Sequence, residues 1–219
     1  AAPAGMLLNA GFLFLWRALP GRLPAWSLGA RLAVMVIASL SAWLASAVAL
    51  VATIQVLRRG GLSMTAFGVA VTAAIATVGV LACLRPMPAP AGTRRVGPGM
   101  LLARGVLAAA AIGVSVWVAS LGGTLSAGVA SVFPAIFLTT MVALWVAQGE
   151  AVPAGAVGPM MLGSTSVAVY ALVASMSLPS LGHALGSLFA WLVAATCVTL
   201  PATMWLSSLR RRQIRLGVR

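Results

Sequence analysis

Residues Ser126 to Met176 read SAGVASVFPAIFLTTMVALWVAQGEAVPAGAVGPMMLGSTSVAVYALVASM. Two apolar segments of membrane length flank a short loop that carries Glu150, the only carboxylate side chain in the chain. Crossing the hydrocarbon core takes about 20 mostly apolar residues in a helix. Each segment is interrupted where a plain lipid-facing helix would not be: Phe133-Pro134 with Thr139-Thr140 in the first, Gly158-Pro159 with Gly163, Ser164, Thr165 and Ser166 in the second. The expected class is therefore all-α, a polytopic transmembrane helix bundle, with its working site near these interruptions.

Composition agrees along the whole chain. Of 219 residues, 62% are hydrophobic and 7% charged, with a mean hydropathy of +1.10; soluble domains carry about 25% charged residues. No charge lies between Arg104 and Glu150, nor between Glu150 and Arg210, so each gap has room for two spans and a turn. The apolar runs show no polar face at the helical period. All 14 basic residues are Arg, and they sit at the ends of apolar runs rather than among aromatics on a polar face, which argues against nucleic acid as a partner. Cys83 and Cys197 lie inside apolar runs without another ligand-type residue at metal spacing, and read as small core residues.

Taken in order, residues 1–16 carry no side-chain charge and stop at Arg17. They read either as the tail of a truncated span or as a short interfacial helix. Trp16, Trp26, Arg17, Arg22 and Arg31 suit a membrane boundary. Six complete spans follow: Leu32 to Leu57, Ser63 to Leu84 with a Ser63 cap, Gly105 to Leu121, Leu125 to Ala147, Ala156 to Leu178 and His183 to Ser208. A Pro-, Gly- and Arg-rich linker at 87–99 divides an N-terminal group of helices (1–86) from a four-helix unit (100–209), and 210–219 form a basic tail. Arg94, Arg95 and Arg104 precede the third span and five Arg follow the sixth, while the turns at Gly122 and at Pro179–Gly182 carry none. Positive residues gather inside, which puts the linker, the Glu150 loop and the C-terminus on the cytoplasmic side; Arg58-Arg59 is left outside, against the rule. A weak match at an offset of 90 pairs Ser41, Ala45, Val56, Ala66 and Gly68 with Ser131, Ala135, Val146, Ala156 and Gly158. It reads either as coincidence in an Ala/Val/Leu-rich chain or as an inverted repeat of the transporter kind.

The candidate site residues are Pro134, Thr139, Thr140, Glu150, Gly158, Pro159, Ser164, Thr165, Ser166 and Tyr170. Proline removes a backbone donor and frees a carbonyl where bulk water is absent, and the hydroxyls lie within one or two turns of that break. They line a small polar pocket between the fourth and fifth spans, or else only kink and glue helices. Glu150 is a proton or cation acceptor at the membrane face, or a solvated loop carboxylate. His183, the lone histidine, falls at the start of the sixth span, beside a Gly182-xxx-Gly186 close-packing motif. With a single carboxylate, no Ser-His-Asp set and no phosphate loop or zinc spacing, neither an enzyme nor a cofactor is expected.

The stretch from Gly99 to Leu178 resembles the GlpM-like group of small bacterial inner-membrane proteins. The likeness rests on a Met100-Leu101-Leu102 opening helix and on Phe133-Pro134-Ala135 after a Gly/Ser-rich turn. It implies an integral membrane location and, by association, exopolysaccharide or envelope physiology, and it transfers no catalytic residue. Two functions are expected from the chain as a whole. One is a small permease-like transporter with its site between spans four and five; the other is an accessory or assembly subunit. The partners are the lipid bilayer and either a second copy or a membrane-complex protein.

Overall fold

The computed structural model describes residues 2–85, 97–120 and 133–215. Within them the chain is helical, with no strand: α1 (Ala2–Ala18), a 3-10 turn (Pro20–Arg22), α2 (Leu28–Arg59), α3 (Met64–Leu84), α4 (Pro98–Ser120), α5 (Ala135–Gln148), α6 (Ala151–Ala194), a π turn (Ala195–Thr199) and α7 (Leu200–Arg215). Three segments are long and apolar enough to cross a membrane: Leu28–Arg59, Met64–Leu84 and Ala151–Arg212. The linker at 87–96, the Gly122-Gly123 turn, the first part of the expected fourth span and Ser131 of the repeat lie outside the described residues.

The last of those segments cannot be one rod. Sixty-two residues at about 1.5 Å each would run about three times the hydrocarbon thickness. The chain reverses at Gly182, whose backbone (φ 74°, ψ 175°) is not helical. Ser177 Oγ donates to the Gly186 carbonyl at 3.0 Å, and Ser166 Oγ meets Thr199 Oγ1 at 3.0 Å. Such pairs close only if 151–181 and 183–215 run antiparallel. The turn expected at Pro179–Gly182 is thus present. Pro179 and Pro159 both lie within helical backbone, so the expected break at Gly158-Pro159 does not occur. Pro134 is the residue on which α5 begins, its backbone (φ −76°, ψ 38°) outside the helical region; residues 121–132, just before Phe133, lie outside the described residues.

α1 occupies the middle of the bundle, packed against α2, α3 and α6. Phe12, Leu13 and Trp16 are at most 1% exposed, while Leu7 and Phe14 on another face are exposed; one side of α1 is therefore packed into the bundle and the other is open. Trp16 stacks edge-on against Trp145 of α5 at 5.9 Å, and Trp43 of α2 does the same on Phe133 at 5.4 Å; each such pair is worth about 0.5–1.5 kcal/mol beyond burial. Asn9, buried in α1, accepts a hydrogen bond from Trp43 Nε1 at 3.0 Å. One apolar cluster draws on α1, α2, α5 and α6, so the 87–99 linker does not separate two cores.

α2 shows why no polar face was visible. Met35, Ser39, Trp43 and Ala47 recur every fourth residue and are buried, while Ile37, Leu44 and Val48 on the other side are exposed. Both faces are apolar, so no polar stripe marks the helical period. Ser27 and Ser63 cap α2 and α3, their hydroxyls accepting from the N–H of Ala30 and Ala66.

Between α3 and α6 the contact is backbone to backbone. A Cβ on Gly79 would lie 2.8 Å from Leu162 Cα, and one on Gly158 would lie 3.2 Å from the Ala82 carbonyl. Small residues permit this approach, and close packing is what associates helices in lipid.

Candidate functional site

Arginines organise one end of the bundle. The last carbonyls of a helix have no partner within it, and guanidinium groups take that place three times. Arg17 of α1 donates to Ala82 O of α3 at 2.9 Å and also to Arg85 O. Arg22 donates to Ala18 O, and Arg31 to Pro20 O, both at 2.8 Å. Arg31 also pairs with Glu150 at 2.9 Å, joining the start of α2 to the start of α6. Positive charge at helix C-termini is favourable in its own right. Arg31, Arg85 and Glu150 therefore share an end, as the positive-residue count expects, and Arg58-Arg59 at the other end of α2 are opposite them. α7 runs back past Pro159 and Gly163, carrying Arg210 to Arg212 toward the Glu150 end.

The ten expected site residues do not form one pocket. Thr139 Oγ1 donates to Ala135 O at 2.8 Å, Thr140 Oγ1 to Ile136 O at 2.6 Å, and Ser164 Oγ to Met160 O at 3.1 Å. All three bond backward onto their own helix. Pro134 is fully buried at the start of α5, Gly158 is pressed on α3, and Glu150 is in its ion pair. Thr165 Oγ1 is buried with no partner among the described residues.

Pro159, Ser166 and Tyr170 instead line the cleft between the two legs of the hairpin. With Gly163 they recur at intervals of four, three and four, which puts them on one helix face. Ser187, Trp191, Ala195, Thr199 and Thr203 face them at strict intervals of four. The Ser166–Thr199 bond divides the cleft into a cavity of about 530 Å³ on the Tyr170 side and one of about 300 Å³ on the Pro159 side. Both fall in the range of small-molecule sites, about 300–1,000 Å³. Thr199 ends the π turn and its hydroxyl lies 3.4 Å from Ala194 O; π turns widen a helix by one residue and recur at functional positions. The lining is mostly apolar with a few hydroxyls and no charge.

The Ser187-to-Thr203 stripe was not anticipated from the sequence, although its four-residue spacing is there to be read. Cys83 is buried as expected, whereas Cys197, in the π turn, is exposed. His183 is exposed at the hairpin tip, at the far end from Glu150. No group of three metal-ligating side chains occurs among the described residues. Comparison of the chain with family models, with curated proteins and with solved structures gives no match in any of the three.

Proposed function

We propose that this chain is an integral protein of a bacterial inner membrane, with the Glu150 end and the C-terminus cytoplasmic, acting as an accessory or assembly subunit of a membrane or envelope system. The observation that carries this reading is the backward bonding of Thr139, Thr140 and Ser164. These three hydroxyls are already bonded to their own helices, Thr165 Oγ1 is left buried without a partner among the described residues, and Glu150 is held by Arg31. Beyond the three long segments, the span count rises to four when each hairpin leg crosses once, and the reading takes α1, α4 and α5 as crossing as well. Likeness of Gly99–Leu178 to the GlpM-like group points to the same cellular setting.

A second reading, a small permease, draws on the hairpin cleft and its π turn. Single cysteines in a Cys83→Ala, Cys197→Ser background separate the two. For a subunit, Cys at Thr140, Thr165, Ser166 and Thr203 is inert to a small water-soluble thiol reagent, as are the controls at Ala168 and Ala190. Reaction at Ser166 and Thr203 that a solute blocks would replace the subunit by the permease.

A further inference from the structure

On the side of the bundle away from the hairpin cleft, α1 and α3 flank an open cavity of about 310 Å³ lined by Phe14, Arg17, Val78, Leu81, Arg85 and Met161. The two helices run in the same direction, because Arg17 near the end of α1 bonds the last carbonyls of α3. On α3, Val78, Leu81 and Arg85 follow at intervals of three and four, and on α1 Phe14 precedes Arg17 by three, so each helix presents apolar side chains followed by an arginine on one face. The cavity is therefore amphipathic along its length, with two guanidinium groups at the membrane boundary and an apolar floor running into the bilayer region. Phe14, Val78 and Leu81 are exposed there. No carboxylate lines it, and the chain's single Glu is engaged by Arg31.

We propose that this cavity binds an anionic phospholipid, its headgroup phosphate between Arg17 and Arg85 and an acyl chain along Phe14, Val78 and Leu81. The inference rests on the proposed membrane location. Arg17 is fixed by its carbonyl bonds, so its remaining N–H donors are held in place before a phosphate arrives, and guanidinium matches phosphate geometry in pairs of bonds. The carbonyl ends of α1 and α3 together oppose an anion with about one unit charge, against two whole positive charges. Basic pockets between helices on the cytoplasmic side are suited to such headgroups. The apolar half of the lining is what selects a lipid over free phosphate.

The test uses the full chain in neutral detergent, with native mass spectrometry and thermal unfolding. Phosphatidylglycerol should remain bound and raise the unfolding temperature, while phosphatidylcholine and inorganic phosphate should do neither. Arg85→Gln should weaken phosphatidylglycerol retention about fivefold, the effect of one arginine at an anionic surface, and Val78→Ser should weaken it without changing charge. Arg58→Gln, at the opposite end, should leave it unchanged. Arg17→Gln is avoided because Arg17 also holds α3. Equal retention of the two lipids, or equal loss in Arg85→Gln and Arg58→Gln, overturns the proposal; stabilisation by phosphate alone overturns the lipid assignment. Release of the chain from membranes by alkaline carbonate would instead refute the membrane location on which the proposal rests.

Discussion

Gly68 of α3 and Gly158 of α6 stand 90 residues apart in the chain and fill equivalent places in one helix contact. Gly68 faces Leu172 and Gly158 faces Ala82, and Leu172 is itself 90 residues beyond Ala82. Any antiparallel pair maps onto itself when the two helices are exchanged; the specific feature is that both equivalent positions are glycine and both meet the partner helix. α2 and α5 also run in opposite directions, since Arg31 opens α2 at the end where Gln148 closes α5. The weak repeat thus coincides with opposed helix directions.

The glycine contacts predict an order of destabilisation. An added methyl at Gly79 meets Leu162 backbone at 2.8 Å, at Gly158 it meets Ala82 backbone at 3.2 Å, and at Gly68 it meets only the movable Leu172 Cδ1 at 3.3 Å. Gly79→Ala should cost most, within the roughly 1–3 kcal/mol of overpacking, Gly158→Ala less and Gly68→Ala least. Gly163→Ala, with nothing within 4 Å, is the neutral control. Unfolding in detergent reads the series, and equal costs would mean that α3 and α6 are not in backbone contact.

The hairpin depends on two further glycines. Gly182 has positive φ with extended ψ, a region essentially reserved for glycine, where other residues cost about 1–3 kcal/mol. A Cβ on Gly186 would lie 3.0 Å from Leu178 Cα. Both Gly182→Ala and Gly186→Leu should lower the unfolding temperature. If Gly186→Leu were silent, the second leg would not lie on the first.

Much of this was legible because each signal was local. Arg58-Arg59-Gly60-Gly61, Ser63 and Pro179 to Gly182 mark ends and turns by their own chemistry, and α3 begins one residue after the expected Ser63 cap. Long-range facts were not legible. Residues 1–16 look like any apolar run, and only the Arg17 bonds to α3 and the Trp16–Trp145 contact reveal a central helix. The polar pocket was misplaced for a related reason. A Ser or Thr in an apolar helix either bonds back to its own turn or faces a cavity, and the sequence of Thr139, Thr140 and Ser164 is the same in both cases.

The Arg31–Glu150 pair should behave as a clasp between α2 and α6. The two side chains are 18% and 35% exposed, so water screens the pair and its coupling should stay near the exposed range of about 0.2–1 kcal/mol. Arg31→Gln should cost more than Glu150→Gln, because it also loses the bond to Pro20 O. A double-variant cycle measures the coupling, and strict additivity would show that the pair contributes nothing.

Arg17 should matter most to the end of α3. Its guanidinium holds Ala82 O and Arg85 O, carbonyls that the helix itself leaves unpaired. Hydrogen bonds from a charged donor are worth about 1.5–3 kcal/mol. Arg17→Ala should therefore fray the last turn, freeing the Arg85 N–H that bonds Leu81 O at 3.2 Å. Hydrogen exchange should speed up over 82–85 while α2 amides stay protected, which separates a lost cap from general unfolding. Arg17→Lys keeps the charge and the apolar stem, but a single ammonium cannot span two carbonyls as a planar fork does, so it should restore only part of the protection. Full recovery by Lys would mean that charge at the helix end, rather than the paired bonds, is what secures α3; unchanged exchange in Arg17→Ala would remove the cap altogether.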